Sequence, residues 1–197
     1  MNIRTILSLS MVLTIGGCGT SPVAKMYTLN AVDKASTVVA GSEQSIAIKL
    51  GPISIPDSLD KPQIVTRVGA NRLETDEFNR WAGDYQSDIQ RIIGENISSL
   101  LPTNQVMMSD EIILVPVDYQ ILVNVRKFDG ELGGVVTLNA DWVLSVKNKE
   151  KTVIAKKSIF TEKTDGADYQ SYAAAQSRLL EKLSKAMVDE VRTHEKK

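Results

Sequence analysis

The sequence predicts an α+β fold, a single domain in which two amphipathic helices pack on one face of a mostly antiparallel sheet. Three observations lead there. Two stretches repeat apolar residues at three- and four-residue steps, and several others alternate apolar and polar residues with a period of two. The alternating stretches also follow one another across short turns. A sheet with one apolar face and helices with one apolar stripe bury each other most simply as two layers. At 197 residues the chain can build one sizeable core but hardly two.

The elements begin after an export signal. Residues 1–5 carry one positive charge, at Arg4, and an apolar run over residues 6–15 follows. A charged start, a short apolar run and small residues at the break are the parts of a secretory signal. The run is too short to span a bilayer, which takes about 20 apolar residues as a helix.

The break itself, Ile15-Gly16-Gly17-Cys18, resembles the lipobox of bacterial lipoproteins: an aliphatic residue, two small residues, then cysteine. Small residues let a lipid transferase and a protease bring extended backbone close to their active sites. The resemblance implies that the Cys18 thiol receives a diacylglyceryl group, that cleavage before it frees its amine, and that an N-acyl group is then added. The chain divides accordingly into a signal peptide over 1–17, a lipidated tether over 18–25 and a folded domain over 26–197. The other reading is an ordinary secretory signal with an inert thiol, but position, spacing and the lack of any other cysteine favour lipidation. Gly19 stands where an aspartate tends to retain Gram-negative lipoproteins in the inner membrane, so its identity points to the outer membrane. Extended, residues 19–25 reach only about 25 Å, at 3.3–3.6 Å each. The domain therefore stays near the membrane.

Charge and cysteine use narrow the class. Loss of the signal removes only Arg4, leaving 22 basic against 24 acidic residues. There is no basic excess to draw the protein to nucleic acid or to an anionic surface. With Cys18 modified no thiol remains, so the core has to hold without disulfides in an oxidising periplasm.

In chain order, Met26-Tyr27-Thr28-Leu29 is a short strand candidate, and residues 30–44 read as a loop. Residues 45–55 predict a strand interrupted at Gly51-Pro52, where the missing donor calls for an edge or a bulge. Pro56 and Pro62 bracket a rigid turn. Ile64-Val65-Thr66-Arg67 is strand-like and can pair with Arg72-Leu73-Glu74 across Gly69-Ala70-Asn71. The first helix is expected over residues 84–101, with room for one turn more upstream. Trp81, Tyr85, Ile89, Ile92, Ile93, Ile97 and Leu100 form its apolar stripe, and Pro102 stops it.

Residues 105–108 form a short strand candidate. Tyr119, Ile121, Val123 and Val125 then alternate with Gln120, Leu122, Asn124 and Arg126. The clearest strand covers residues 135–147: Val136, Leu138, Ala140, Trp142, Leu144 and Val146 face one way, and Thr137, Asn139, Asp141, Ser145 and Lys147 the other. Residues 129–134, with three glycines, make the turn before it, and a turn at Asn148-Lys149-Glu150 leads to a strand over 152–162. Together these read as an antiparallel meander. A long helix over 168–192, capped by Asp165 or Asp168, closes the chain with Tyr172, Ala173, Gln176, Leu179, Leu180, Leu183, Met187 and Val191 on its buried face. There is no repeat and no low-complexity segment.

Three ordered blocks resemble the ABC-type transport auxiliary lipoproteins, the group that includes the paraquat-inducible protein C lipoproteins. The first runs from Ile55-Pro56 through Ser58-Leu59-Asp60-Lys61-Pro62-Gln63-Ile64-Val65-Thr66-Arg67 to Asn71-Arg72-Leu73 and Phe78-Asn79-Arg80-Trp81. The second is Val123-Asn124-Val125-Arg126-Lys127-Phe128-Asp129-Gly130 with Gly134, Leu138 and Ala140-Asp141-Trp142. The third is Asp165-Gly166-Ala167-Asp168-Tyr169 with Ala173 and Leu183-Ser184. The chain departs from the family at Gly83-Asp84, where proline and an apolar residue are more usual, which leaves the helix start the least fixed boundary. The resemblance implies a lipid-anchored component of an MCE-type envelope lipid-transport system. Its partners would be an MCE-domain protein and inner-membrane transport components, ATP-driven in many systems. It would dock or anchor the conduit at the outer membrane, with the domain facing the periplasm, and a homo-oligomeric ring is one arrangement this allows. The alternative is a structural or assembly lipoprotein of another envelope machine, such as a pilotin or a lipopolysaccharide-assembly partner.

Enzymatic chemistry finds little to work with. The lone His194 falls in the charged tail 193–197, where it is expected to be solvated, and Cys18 is consumed by lipid. One histidine and one cysteine cannot furnish an N/S metal site. Asp57 with Asp60, and Asp165 with Asp168, fit turn and capping roles better than catalytic pairs. Gly130, Gly133 and Gly134 lack the following helix and Lys-Ser/Thr of a phosphate loop. Lys147, Lys149, Lys151, Lys156 and Lys157 gather at one hairpin, which protects a sheet edge from association or offers a contact to a partner or lipid headgroup. The expectation is a non-enzyme with no catalytic residues, no cofactor and no metal, whose one chemically committed residue is the lipid attachment site Cys18.

Overall fold

A computed structural model describes residues 22–31, 46–101, 103, 105–109, 116–146 and 153–195. The lipobox with Cys18, most of the expected 30–44 loop, Pro102, and Lys147, Lys149 and Lys151 lie outside these residues. The elements are β1 (Lys25–Tyr27), β2 (Ile48–Ser54), β3 (Gln63–Arg67), β4 (Leu73–Trp81), α1 (Tyr85–Leu100), β5 (Val106–Met108), β6 (Tyr119–Gly130), β7 (Val135–Val146), β8 (Val153–Lys163) and α2 (Tyr169–Glu195).

The strands form two sheets, one of five strands in the order β5-β2-β6-β7-β8 and one of three in the order β1-β4-β3. The expected meander is β6-β7-β8, antiparallel throughout. Beside it, β2 runs parallel to β6 and to β5, so the sheet is mixed at that end. Parallel neighbours need a crossover rather than a hairpin, and α1 supplies one between β2 and β5. Gly51-Pro52 acts as the residue types require. The ladder between β2 and β6 shifts register between Leu50 and Ile53, and β5 pairs only with residues 48–50. Past the break β2 is an edge on that side.

Both helices lie on the inner face of the five-stranded sheet, α1 against β2 and β5, α2 against β7 and β8. Ile121, Val123 and Val125 of β6 and Val136, Leu138, Ala140, Trp142 and Leu144 of β7 are buried under Ile89, Ile92, Ile93 and Ile97 of α1 and Leu179, Leu180, Leu183 and Met187 of α2. Each pattern has the period its element needs. Asp84 caps α1, its carboxylate accepting from the Ser87 N–H at 2.7 Å. Asp168 caps α2 in the same way through Ser171 at 2.8 Å.

Two readings change at the helix ends. Trp81 does not begin α1; it ends β4, opposite Tyr27 of β1, with its N–H donating to Pro62 O at 2.8 Å. Its ring still stacks on Tyr85 at 4.5 Å, because the chain turns sharply between the two, and Phe128 extends the stack 6.2 Å from Tyr85. The four-residue spacing of Trp81 and Tyr85 imitated a helical step. At the other end α2 continues through Glu195, so His194 is not a solvated tail residue. Its side chain is 20% exposed, with Nε2 3.5 Å from the Glu190 carboxylate one turn earlier.

The small sheet closes the end of the core at one buried junction. The Tyr172 hydroxyl accepts from Gly130 N–H at 3.1 Å and donates to Val65 O at 3.0 Å, tying α2 to β6 and β3 together. Beside it Arg67 of β3 clasps Asp129 of β6, Nε to Oδ1 at 2.5 Å and Nη2 to Oδ2 at 3.0 Å. The N-terminal segment is laced down next to this. Ala82 N–H donates to Tyr27 O at 2.8 Å, Leu29 N–H to the Asp88 carboxylate at 2.9 Å, and Asn30 N–H to Ser177 Oγ at 3.1 Å. On the far flank Glu162 of β8 receives Lys182 at 2.5 Å and Arg178 at 2.9 Å, and Lys156 pairs with Glu190.

Two predictions follow from these bonds. Tyr172→Phe leaves a buried N–H and a buried carbonyl without their partner, so urea unfolding should show a loss of about 2–3 kcal/mol. A loss near zero would mean that those groups do not depend on the hydroxyl. Hydrogen bonds from Lys182 and Arg178 hold Glu162 below the ordinary glutamate range against the opposing pull of burial, and Lys156 does the same for Glu190. A carboxylate whose folded pKa lies below its unfolded value of about 4.3 stabilises the fold above that pH. The contribution is lost as pH falls through the folded value. Unfolding free energy should therefore drop between about pH 5 and pH 3, and Glu162→Gln should flatten that slope while lowering stability at neutral pH.

Candidate functional site

Cys18 lies outside the described residues, and the described chain resumes at Pro22. The carboxylates singled out from the sequence are occupied or solvated. Asp168 caps α2, and Asp165 receives Arg178 Nη1 at 3.0 Å. Asp57 and Asp60 sit in the turn where Leu59 N–H and Asp60 N–H both donate to Pro56 O. Among the described residues no three His, Cys, Asp or Glu side chains gather as a metal ion would require. No helix among them is long and apolar enough to cross a membrane.

What the fold does offer is surface, and one shaped part of it is the outer face of the five-stranded sheet. The helices cover only the inner face, so the outward residues of β6, β7 and β8 stay partly exposed. Register places Leu122 opposite Val143 and Val143 opposite Ala155, an apolar row across three strands. The next row is polar: Ser54 opposite Asn124, Asn124 opposite Asp141, Asp141 opposite Lys157. The β2 break turns Pro52 to the rim, and the concavity enclosed between β2 and β8 measures about 610 Å³.

Electrostatics at this groove favour an anionic or polar partner edge. Arg126 Nε holds Asp141 Oδ2 at 2.8 Å, so the one carboxylate of the row is already neutralised. Lys157 is exposed and has no ion pair among the described residues, whereas Lys156 points to the other side and pairs with Glu190. Of the lysine cluster expected at this hairpin, these two therefore divide between the two faces of β8. Sequence reasoning placed Leu122 on the wetter side of β6 and left Val143 unassigned. The available signal was an apolar residue at an outward position on neighbouring strands, and it needed the register between them to become a row.

A larger concavity of about 830 Å³ opens between α1 and β5, where Gly94 lets Met108 lie directly against the helix. It is the more polar of the two. Arg91 on its wall is fully engaged, bonding Asp88, Glu95 and the Leu29 carbonyl, so its charge is not free for a ligand.

Comparison with known proteins bears on the whole domain. The family model for the ABC-type transport auxiliary lipoprotein component matches residues 27–188. Among curated proteins nothing matches. Among solved structures, the chain is similar to a protein described only as uncharacterized, at 16% identity and a TM-score of 0.68, over 86% of this chain and 99% of that one. It is also similar to a Xanthomonas campestris protein of the DUF330 family, at 17% identity and a TM-score of 0.64, over 84% of this chain and 93% of that one. At such identities the likeness concerns the fold.

Proposed function

This chain belongs to the family of ABC-type transport auxiliary lipoprotein components, and on that premise we propose that it is a non-enzymatic docking component of an MCE-type envelope lipid-transport system. It is anchored at the outer membrane through the diacylglyceryl and N-acyl groups of Cys18. The observation that carries the reading is the family match across nearly the whole folded domain, in a chain whose lone cysteine closes a lipobox.

Physical chemistry fits the division of labour. Each buried CH₂ of an acyl chain contributes about 0.8 kcal/mol, and one chain alone binds a bilayer only marginally. Several chains on one residue make the attachment lasting. The domain then needs no membrane-binding energy of its own and can present a shaped surface to an MCE-domain partner. The groove lined by Leu122, Val143, Ala155 and Lys157 is the surface we assign to that contact, since an apolar floor with a polar rim is the usual anatomy of a docking interface.

Crosslinking from gently solubilised envelopes tests the partner. A photoreactive residue at position 122 should capture an MCE-domain protein, and capture of a pilotin target or lipopolysaccharide-assembly protein instead would transfer the chain to the assembly reading. With the photoreactive residue kept at position 122, Val143→Asp should reduce that capture at least tenfold while lowering stability by no more than about 1–2 kcal/mol, as expected of a single outward strand position. Cys18→Ala should leave the fold intact yet abolish acyl labelling and move the protein to the soluble fraction. Continued outer-membrane fractionation of that variant would mean that protein contacts, not lipid, do the anchoring.

A further inference from the structure

Three exposed large apolar side chains lie on or beside the β1–β4 edge, which follows the lipid attachment site in the chain. Val23 is 89% exposed, Met26 61% and Phe78 44%. Strand alternation accounts for the direction of two of them. Tyr27 turns inward, its ring 6.2 Å from Tyr169 and its hydroxyl donating to Asn79 Oδ1 at 2.8 Å. Neighbours in a strand point to opposite faces. Met26 therefore turns outward on β1, as do Phe78 and Arg80 on either side of Asn79. Met26 stands opposite Arg80 in the parallel register, about 4.8 Å away across the ladder. Phe78 is two residues along the same strand. These are not scattered single residues, which would need no explanation.

Their charged neighbours are of two kinds. Lys25 and Arg80 make no ion pair among the described residues, and only Arg80 shares the face of Met26, since Lys25 alternates to the side of Tyr27. The nearby carboxylates are each engaged: Asp76 accepts from the Phe78 N–H at 2.7 Å, Glu77 from Gln63 Nε2 at 3.0 Å, and Glu74 is bridged by Arg72 at 2.9 Å. Long cationic side chains beside apolar ones suit an interface where the stem is dry and the head wet.

Chain length selects the occupant. Pro22 follows Cys18 by four residues, which span at most about 14 Å, and Val23 is one step further. The headgroup layer on each side of a bilayer is itself about 5–7 Å deep. A patch on so short a leash meets the lipid surface at high effective concentration, so even weak apolar contact is populated. Resting on the reading that Cys18 is lipidated, we infer that Val23, Met26 and Phe78, with Arg80 beside them, form a face that lies in the interface of the bilayer holding the protein's own anchor. The edge strand β1 is thereby held against the membrane, and the domain has a fixed orientation rather than a free swivel about its tether.

The lone native cysteine makes the test direct, because acylation leaves no competing thiol. The full-length lipoprotein carrying Met26→Cys, Phe78→Cys or, as a control on the exposed outer face of β8, Ile159→Cys is labelled with an environment-sensitive fluorophore. It is then reconstituted in vesicles of phosphatidylethanolamine and phosphatidylglycerol containing spin-labelled lipid. Quenching at positions 26 and 78 should exceed that at 159 at least threefold, and Val23→Asp with Phe78→Asp should abolish the excess at 26. Protein that floats with the vesicles but is quenched no more at 26 and 78 than at 159 overturns this face while leaving the anchor in place. Protein that does not float overturns the anchor and this inference with it. Shielding that arises only when other envelope proteins are added assigns the patch to a protein partner and overturns the lipid face.

Discussion

The two sheets of this domain are joined by one buried hydroxyl that reaches two backbones at once. Tyr172 stands on α2, takes the N–H of Gly130 from the large sheet and gives its proton to the carbonyl of Val65 in the small one. Burial raises its pKa well above that of a free phenol, so it remains a donor at any physiological pH. Position 130 itself is glycine because β7 comes too close for a side chain: a Cβ there would stand 2.3 Å from the Val135 carbonyl oxygen. The Arg67–Asp129 pair sits beside the same junction, where partial burial and bidentate geometry make an ion pair matter more than at an open surface. Without these contacts β3 would rest on the core by apolar packing, and the small sheet would keep its polar ties only through the segment after β1.

With both helices committed to one face, the functional consequence is a layered body that has an inside and an outside sheet surface. The inside carries the stability. The outside is uncovered, and its apolar row is bordered by the polar row of Asn124, Asp141 and Lys157, which keeps the exposed patch short of a general aggregation surface. A transport auxiliary needs such an arrangement more than it needs a reactive pocket. The two faces can change independently: inward substitutions act on folding, and outward ones leave the core as it is.

The large sheet was legible in the sequence because its signals are local. The alternation from Tyr119 to Val125 and from Val136 to Leu144 states both the strand and its buried side. The Asp168 cap, one of the two carboxylates offered for α2, marks that helix start by its own chemistry, whereas the Asp84 cap of α1 came only with the structure. Pairings between distant segments were not legible. Nothing in Lys25-Met26-Tyr27 announces a parallel partner at Asn79-Arg80-Trp81, and nothing in β2 announces that it lies parallel to β6. Such choices depend on the packed whole rather than on any window of residues. Trp81 shows the same limit from the other side: its spacing from Tyr85 satisfied a helical rule, but the stacking it reflected runs across a sharp turn between a strand and a helix. The groove on the outer face was half visible, as apolar residues in outward positions, and became a surface only once register set Leu122, Val143 and Ala155 side by side.

The lacing of the N-terminal segment has a mechanical meaning. A load arriving along the chain before Lys25 enters the domain through β1. There it meets three parallel rungs to β4, followed by bonds from Leu29 to α1 and from Asn30 to α2. A pull along the strand stresses the rungs in shear, all together, instead of unzipping them in turn. The attachments to both helices behind them pass the strain into the thickest part of the core. The segment is built as a fastening, and its strength rests on that sharing of load rather than on any single bond.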